Sequence, residues 1–209
     1  MEVDRPGPGE ELNNGEVTVP RQAASVILLR GGDEALELLL VQRNPDARFM
    51  GGAWVFPGGA VDAHEGEGDE AHRVAALREL EEEAGVSVTD PGSLVKFSRW
   101  ITPAEVKIRF DTHFFLASLP EGAEAAVDGQ ECVDARWYSP QAALEDYERG
   151  EILLVFPTIK HLEQLSLFSS TAELLDHARD RTVVAVEPRV IITGETARIL
   201  LPGEPGYDD

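Results

Sequence analysis

The residues best suited to chemistry are the run Arg78-Glu79-Leu80-Glu81-Glu82-Glu83-Ala84-Gly85-Val86. Four carboxylates fall within five positions, and on a helix Glu79, Glu82 and Glu83 share one face through i, i+3 and i+4 spacing. Like charges so spaced destabilise a helix by roughly 0.2–0.5 kcal/mol per pair. They also stand in the last two turns before Gly85, where the helix dipole disfavours negative charge. Both effects oppose stability, and a divalent cation resolves the conflict. Hard cations such as Mg²⁺ take oxygen ligands, and carboxylates from adjacent turns supply them while leaving positions for phosphate oxygens and water. Arg78, one turn before Glu82, is placed to pair with it. A Glu-rich helix on its own is more simply read as a solvated face; the residues around this one favour the chemical reading.

Other groups are weighed in the same way. Arg43 and Arg48 offer guanidinium forks suited to phosphate, or else decorate a surface loop. Cys132 lies in an apolar-alternating segment with no His near it in sequence, which predicts a buried structural thiol. As the sole cysteine it excludes an internal disulfide and a cysteine-rich metal cluster. His64 and His72 are expected as exposed loop histidines rather than ligands. The aromatics are core by default, with Trp100 allowed a base-stacking or acyl-contact role.

The elements that must position these groups follow from periodicity. Val74, Leu77, Leu80 and Ala84 recur at helical spacing, predicting a helix over 69–84 closed by Gly85. Strands are expected over 23–29 and 36–41, separated by Gly31-Gly32-Asp33, then over 54–56, 94–100, 109–119, 132–138, 182–186 and 189–192. Further helices are expected over 140–149, with Ser139 as cap and Pro140 in the first turn, and over 158–168 and 171–179. This order predicts a mixed α/β layered domain over 21–195, with a flexible leader over 1–20 and a flexible tail over 196–209.

The 209 residues carry a formal charge of −21, which argues against nucleic acid as a partner because such binding needs basic surface. No apolar run is long enough to span a bilayer, and residues 1–16 lack the basic start and apolar middle of a secretory signal. A cytoplasmic location is therefore expected.

The central run resembles the Nudix box: Gly, five residues, Glu, seven residues, then Arg-Glu-aliphatic-any-Glu-Glu-any-Gly-aliphatic. Glu70 stands seven residues before Arg78, and the remainder matches through Val86. Gly59, in Phe56-Pro57-Gly58-Gly59, is ten residues from Glu70 rather than five. Glu65 meets the Gly spacing but not the Arg spacing. A five-residue insertion in the loop 63–69 accounts for both, leaving Glu65 and Glu70 as alternatives for the first glutamate.

The resemblance implies a Nudix-type α/β/α sandwich with a mixed β-sheet. It implies that Glu79, Glu82 and Glu83, aided by the Gly59 carbonyl, hold Mg²⁺ or Mn²⁺, while Glu70, Arg78 and Gly85 are structural members of the box. Water would attack one phosphorus of a diphosphate in a small nucleotide substrate, with Glu79 or Glu131 as general base. Upstream, Leu39-Leu40-Val41-Gln42-Arg43, Arg48 and Gly52 look like the motif of the coenzyme A diphosphatase branch, with Val41 where Thr is usual and Asn44 where Ser or Ala is usual. Trp100-Ile101-Thr102-Pro103 and the stretch from Arg109 to Phe115 look like acyl-CoA-hydrolysing relatives. Arg43, Arg48, Trp100 and Arg109 are thereby candidate substrate-binding residues. The substrate implied is CoA or acyl-CoA, cut to phosphopantetheine and adenosine 3′,5′-bisphosphate. ADP-ribose, nucleotide sugars and dinucleoside polyphosphates are alternatives, and a non-catalytic nucleotide sensor is a reading of another class. A homodimer is the one protein partner the family suggests.

Overall fold

A computed structural model describes residues 2–3, 11–193 and 196–208. In chain order the elements are β1 (Glu2–Val3), β2 (Arg21–Arg30), β3 (Glu37–Arg43), β4 (Ala53–Val55), β5 (Gly58–Ala60) and α1 (Gly68–Ala84). They continue with β6 (Val95–Ile101), β7 (Phe110–Ser118), β8 (Cys132–Tyr138), α2 (Pro140–Glu148), β9 (Leu153–Leu154), α3 (Phe156–Leu165) and α4 (Thr171–Arg179). The chain closes with β10 (Ala185–Val186), β11 (Arg189–Thr193) and β12 (Thr196–Leu200).

Among the described residues nine strands form one mixed sheet, ordered β10-β6-β7-β2-β3-β4-β9, with β5 beside β2 and β8 beside β3. β2 is its axis. It runs parallel to β7 along its length, Arg21 opposite Phe110 through Leu29 opposite Ser118. Side-chain alternation then assigns the layers. Ile27, Leu29, Leu38, Leu40, Phe114 and Leu116 pack with α2, α3 and α4 on one face. Val26, Leu28, Leu39, Val41, Phe115 and Ala117 pack with α1 on the other. The result is the expected α/β/α sandwich. No helix among the described residues is long and apolar enough to cross a membrane.

The sheet is split along β2, and the split makes room for the site. Only Leu29 and Arg30 pair with β3, whereas Ala23, Ala24 and Ser25 pair with β5. β3 leaves β2 to pair with β8 and β4 instead. The Gly31-Gly32 turn is therefore followed by a short pairing rather than a long hairpin. β5 escapes a propensity reading because Gly-Gly has no strand preference; it forms because the free edge of β2 accepts it.

α1 buries Ala71, Ala75, Ala76, Leu80 and Ala84. Small residues on that face let the helix lie close to the sheet. Gly85 ends the helix in the left-handed region at φ 65°, its N–H donating to Glu81 O at 3.0 Å. A Cβ there would lie 2.8 Å from Ala126 O, so both conformation and space require glycine.

The ends are more engaged than a loose leader and tail. β12 pairs antiparallel with β11 and with β1 in a second sheet, and Leu12 bridges Val106. Exposed backbone strands satisfy their amides by pairing wherever a neighbour is available. Met1 and residues 4–10, within the expected leader, lie outside the described residues, as do 194, 195 and 209.

Candidate active site

The C-terminal half of α1 faces β5 and the loop before β8. Arg78 is the hub. Its Nε donates to Glu65 Oε1 at 2.9 Å, Nη1 to Glu79 Oε1 at 2.7 Å and Glu82 Oε2 at 3.0 Å, and Nη2 to Ala60 O at 3.0 Å. Four acceptors around one planar guanidinium lock the helix to the edge strand β5. Gly59 stands directly against Glu79: a Cβ on it would meet Glu79 Oε1 at 2.3 Å. Glu83, only 2% exposed, accepts from Gly58 N at 2.9 Å and faces Arg43 Nη1 at 3.4 Å.

The electrostatics are unbalanced. Burial pushes the Glu83 carboxyl up to about 7, against the Gly58 amide and Arg43, with the charges of Glu79 and Glu131 adding to the rise. Burial likewise raises Glu79 above the ordinary carboxylate range despite Arg78, helped by the Glu82 and Glu131 charges. Glu65 behaves oppositely: burial works against it, yet the Arg78 hydrogen bond and charge hold it below its usual value.

Of the two candidates for the first glutamate, Glu65 is the one that meets Arg78. Glu65, whose carboxylate is 2% exposed, closes a short 3-10 turn (Ala63–Glu65) and takes Arg78. Glu70 is exposed on the first turn of α1 with no bond to Arg78, so the assignment of Glu70 to the structural set is corrected. The insertion lies after Glu65, where Gly66 and Gly68, both at positive φ, turn the chain into an N-terminally extended α1.

The other candidates divide. Glu131 is exposed but close enough to bias Glu79 and Glu83, and its direction is set by Asp128, whose carboxylate accepts from the amides of Gln130, Glu131 and Cys132. Asp128 went unrecognised, although Asp-Gly is a turn signature. Arg43 joins the site; Arg48 does not, being exposed in the turn after β3. Phe49 takes the inward place instead, 5.6 Å from Phe110 between ring centroids. Trp100 packs edge-on to Phe156 at 6.2 Å and lines the cavity described below.

Arg109 is buried away from that cavity, donating to Thr102 O, Thr18 O and Glu187 Oε1 at 2.9, 2.7 and 2.6 Å. Its donors are committed to tying β7 to segments at both ends of the chain. The substrate-binding expectation for Arg109 is therefore corrected to a structural one. His64 is exposed as expected, but His72 is buried on α1, bonded to Gly68 O and Gln22 Oε1 and stacked on His113 at 3.8 Å. Gln22 on β2 and His113 on β7 are far off in sequence. Cys132 is a buried thiol pushed up to about 12 by burial and the neighbouring Glu83.

The donor set suits a hard cation. Among the described residues no three His, Cys, Asp or Glu side chains are gathered as a ready ligand cluster. Glu79 and Glu82 turn to Arg78, and Glu83 turns to Gly58 N. Yet Glu79 and Glu83 are desolvated carboxylates short of positive charge, and Gly59 keeps the space against Glu79 free of a side chain. Oxygen donors in that condition are what a divalent ion satisfies.

Beside them opens a cavity of about 400 Å³ lined by Gly58, Gly59, Arg43, Trp100, Phe110 and other apolar groups. Among the described residues Arg21 and Arg43 are the only charged ones of its lining, in a chain of net charge −21.

Comparison with known proteins agrees with this geometry. The NUDIX domain model matches residues 19–156. A nudix hydrolase of Caenorhabditis elegans is 29% identical over 182 residues, 70% of this chain and 60% of that protein, so this chain spans less than two thirds of that relative. Acyl-coenzyme A diphosphatase NUDT19 of Homo sapiens is 25% identical over 300 residues, covering 90% of this chain and 80% of that one. The crystal structure of a NUDIX hydrolase from Alicyclobacillus acidocaldarius superposes with a TM-score of 0.69 at 27% identity, covering 76% of this chain and 96% of the other.

Proposed function

The chain belongs to the NUDIX family, hydrolases of diphosphate bonds, and within it we propose that the substrate is CoA or an acyl-CoA, cut to phosphopantetheine or its acylated form and adenosine 3′,5′-bisphosphate. One observation carries this reading: Gly58 and Gly59, which contact Glu83 and Glu79, border a cavity whose lining is mostly apolar, with Arg21 and Arg43 as its charged residues among those described and a few hydroxyls from Ser25, Thr102, Thr112 and Thr158. A diphosphate flanked by a sugar or a second nucleoside would bring many hydroxyls to a lining with few polar groups, and each one left unpaired costs roughly 1–3 kcal/mol. The pantetheine arm carries a hydroxyl and two amides of its own, but a hydrocarbon acyl chain attached to it meets the aliphatic part of that lining with no polar group to satisfy. The relatives named as acyl-CoA diphosphatases support the same reading.

Glu79, Glu82, Glu83 and the Gly59 carbonyl would hold the divalent cation, Mg²⁺ or Mn²⁺. When bound, it supplies charge neutralisation at the attacking and leaving oxygens of the diphosphate. Arg78 orients Glu79 and Glu82, and Arg43 is placed to donate to a phosphate oxygen. Water forms the new P–O bond, the bridging P–O bond breaks, and the departing phosphate keeps its electron pair. The water proton passes to a carboxylate, with Glu79 and Glu131 the two groups positioned to take it.

The test is incubation with Mg²⁺ or Mn²⁺ and separate samples of CoA, acetyl-CoA, ADP-ribose and diadenosine polyphosphates, with Glu82→Gln as control. Release of adenosine 3′,5′-bisphosphate from CoA, lost in the control, is expected. Cleavage of ADP-ribose alone would overturn the CoA assignment. Binding without turnover of any of them would point to a sensor.

A further inference from the structure

The family match ends at residue 156, and the chain after it supplies none of the box residues. It nevertheless builds part of the cavity. Pro188, Val190, Ala197 and Ile199 all line it, joined from the leader by Leu12. Strand register explains the apolar face. Val190 stands opposite Ile199 across the antiparallel β11–β12 pair, so the two side chains lie on the same side of the hairpin. Ala197 shares that side by period-two alternation, while Arg198, opposite Ile191, falls on the other. The hairpin presents its aliphatic side inward even though arginines are available at adjacent positions.

The hairpin wall favours an apolar occupant. Water against Leu12, Val190, Ala197 and Ile199 finds no side-chain hydrogen-bonding partner on that wall, since the hydroxyls and the two arginines of the lining belong to other segments. We propose that the β11–β12 hairpin is the acyl-binding wall of the site and makes the enzyme select fatty acyl-CoA over free CoA. This rests on the CoA reading above and goes beyond it, because the box and Arg43 engage the diphosphate that both substrates share. Free CoA ends in a short thiol-tipped arm that leaves Val190 and Ile199 in water; a hydrocarbon tail covers them. Each methylene buried there raises affinity about fourfold.

The experiment measures kcat/KM for CoA, hexanoyl-CoA and dodecanoyl-CoA with the full chain, Ile199→Asp and Ile199→Trp. Binding of dodecanoyl-CoA and CoA is measured alongside by calorimetry without metal. The unsubstituted chain should favour dodecanoyl-CoA over CoA by tenfold or more in both readouts. Ile199→Asp should cut that ratio at least tenfold, and Ile199→Trp, which fills space without adding charge, should move the preference to hexanoyl-CoA. If Ile199→Asp fails to fold, the Trp variant carries the decision. A ratio near one in the unsubstituted chain, or a ratio unmoved by either variant, overturns the acyl wall and leaves the CoA reading intact. Failure to cleave any CoA compound while ADP-ribose is cleaved overturns the CoA reading itself, and the acyl wall with it.

Discussion

Two polar clusters lie buried under the same helix, and they are built on opposite principles. Beneath the N-terminal half of α1, Asp111 accepts both prongs of Arg99 at 2.8 and 2.6 Å, and Gln22 reaches Asp111 and His72. The Arg99 hydrogen bond holds Asp111 below the usual carboxylate range. Charge there is matched, and apart from His113 Nδ1 its buried side-chain atoms have partners. Beneath the C-terminal half, Glu79 and Glu83 are raised by burial against Arg78, the Gly58 amide and Arg43. A cluster that only supports the fold satisfies its charges internally. A cluster that leaves two desolvated carboxylates short of positive charge is arranged for a partner that arrives from outside.

The sharpest way to break this contrast is to remove one carboxylate from each. Glu82→Gln should lower kcat on the order of 10³-fold, since a lost cation ligand is worth several kcal/mol at the transition state, while the urea midpoint stays put. Asp111→Asn should leave kcat nearly intact and lower the urea midpoint. The reverse pattern would sink the distinction.

The matched cluster, through His113, and the opposite face of the sheet, through His161 on α3, share a pH signature. Burial lowers His113 and His161 to about 4 from an ordinary 6.5, so both are neutral in the folded state. In the neutral ring Nδ1–H donates to Pro157 O at 2.7 Å, which leaves Nε2 to accept from Ser98 Oγ at 2.6 Å. Between pH 6.5 and 4 the unfolded chain binds more protons than the folded one. Stability is thus complete above 6.5 and is lost as pH falls toward 4, by up to about 3 kcal/mol per histidine. Urea melts at pH 7, 6 and 5 should show this, with a shallower slope for His113→Phe.

Gly59→Ala sets a methyl group 2.3 Å from Glu79 Oε1, displacing the carboxylate rather than the fold. A misplacement near 1 Å costs about 10²-fold in rate, so kcat should fall by that order with little change in melting temperature. The smallest effect separates the two first-glutamate candidates. Glu65→Gln should weaken metal-dependent activity about tenfold by loosening Arg78, whereas Glu70→Gln should be silent. Equal effects would return the box to the spacing that places Glu70 in it.

Much of this was legible without coordinates. Helical spacing places α1 within a residue of its observed start, and period-two alternation in β2, β3 and β7 states which side chains share a face. The acidic run before Gly85 announces a cation by its own electrostatic discomfort. What stayed hidden is which groups meet across distance. Gln22 lies 50 residues from His72, Thr18 lies 91 from Arg109, and Arg78 chooses Glu65 over Glu70 only because a 3-10 turn brings the earlier residue back. Local periodicity encodes the face a residue occupies and the charge it brings. The partner on that face is set by sheet register and by the path of the loops. The tertiary structure therefore decided the burial of His72, the reassignment of Arg109 and the apolar hairpin beside the diphosphate site.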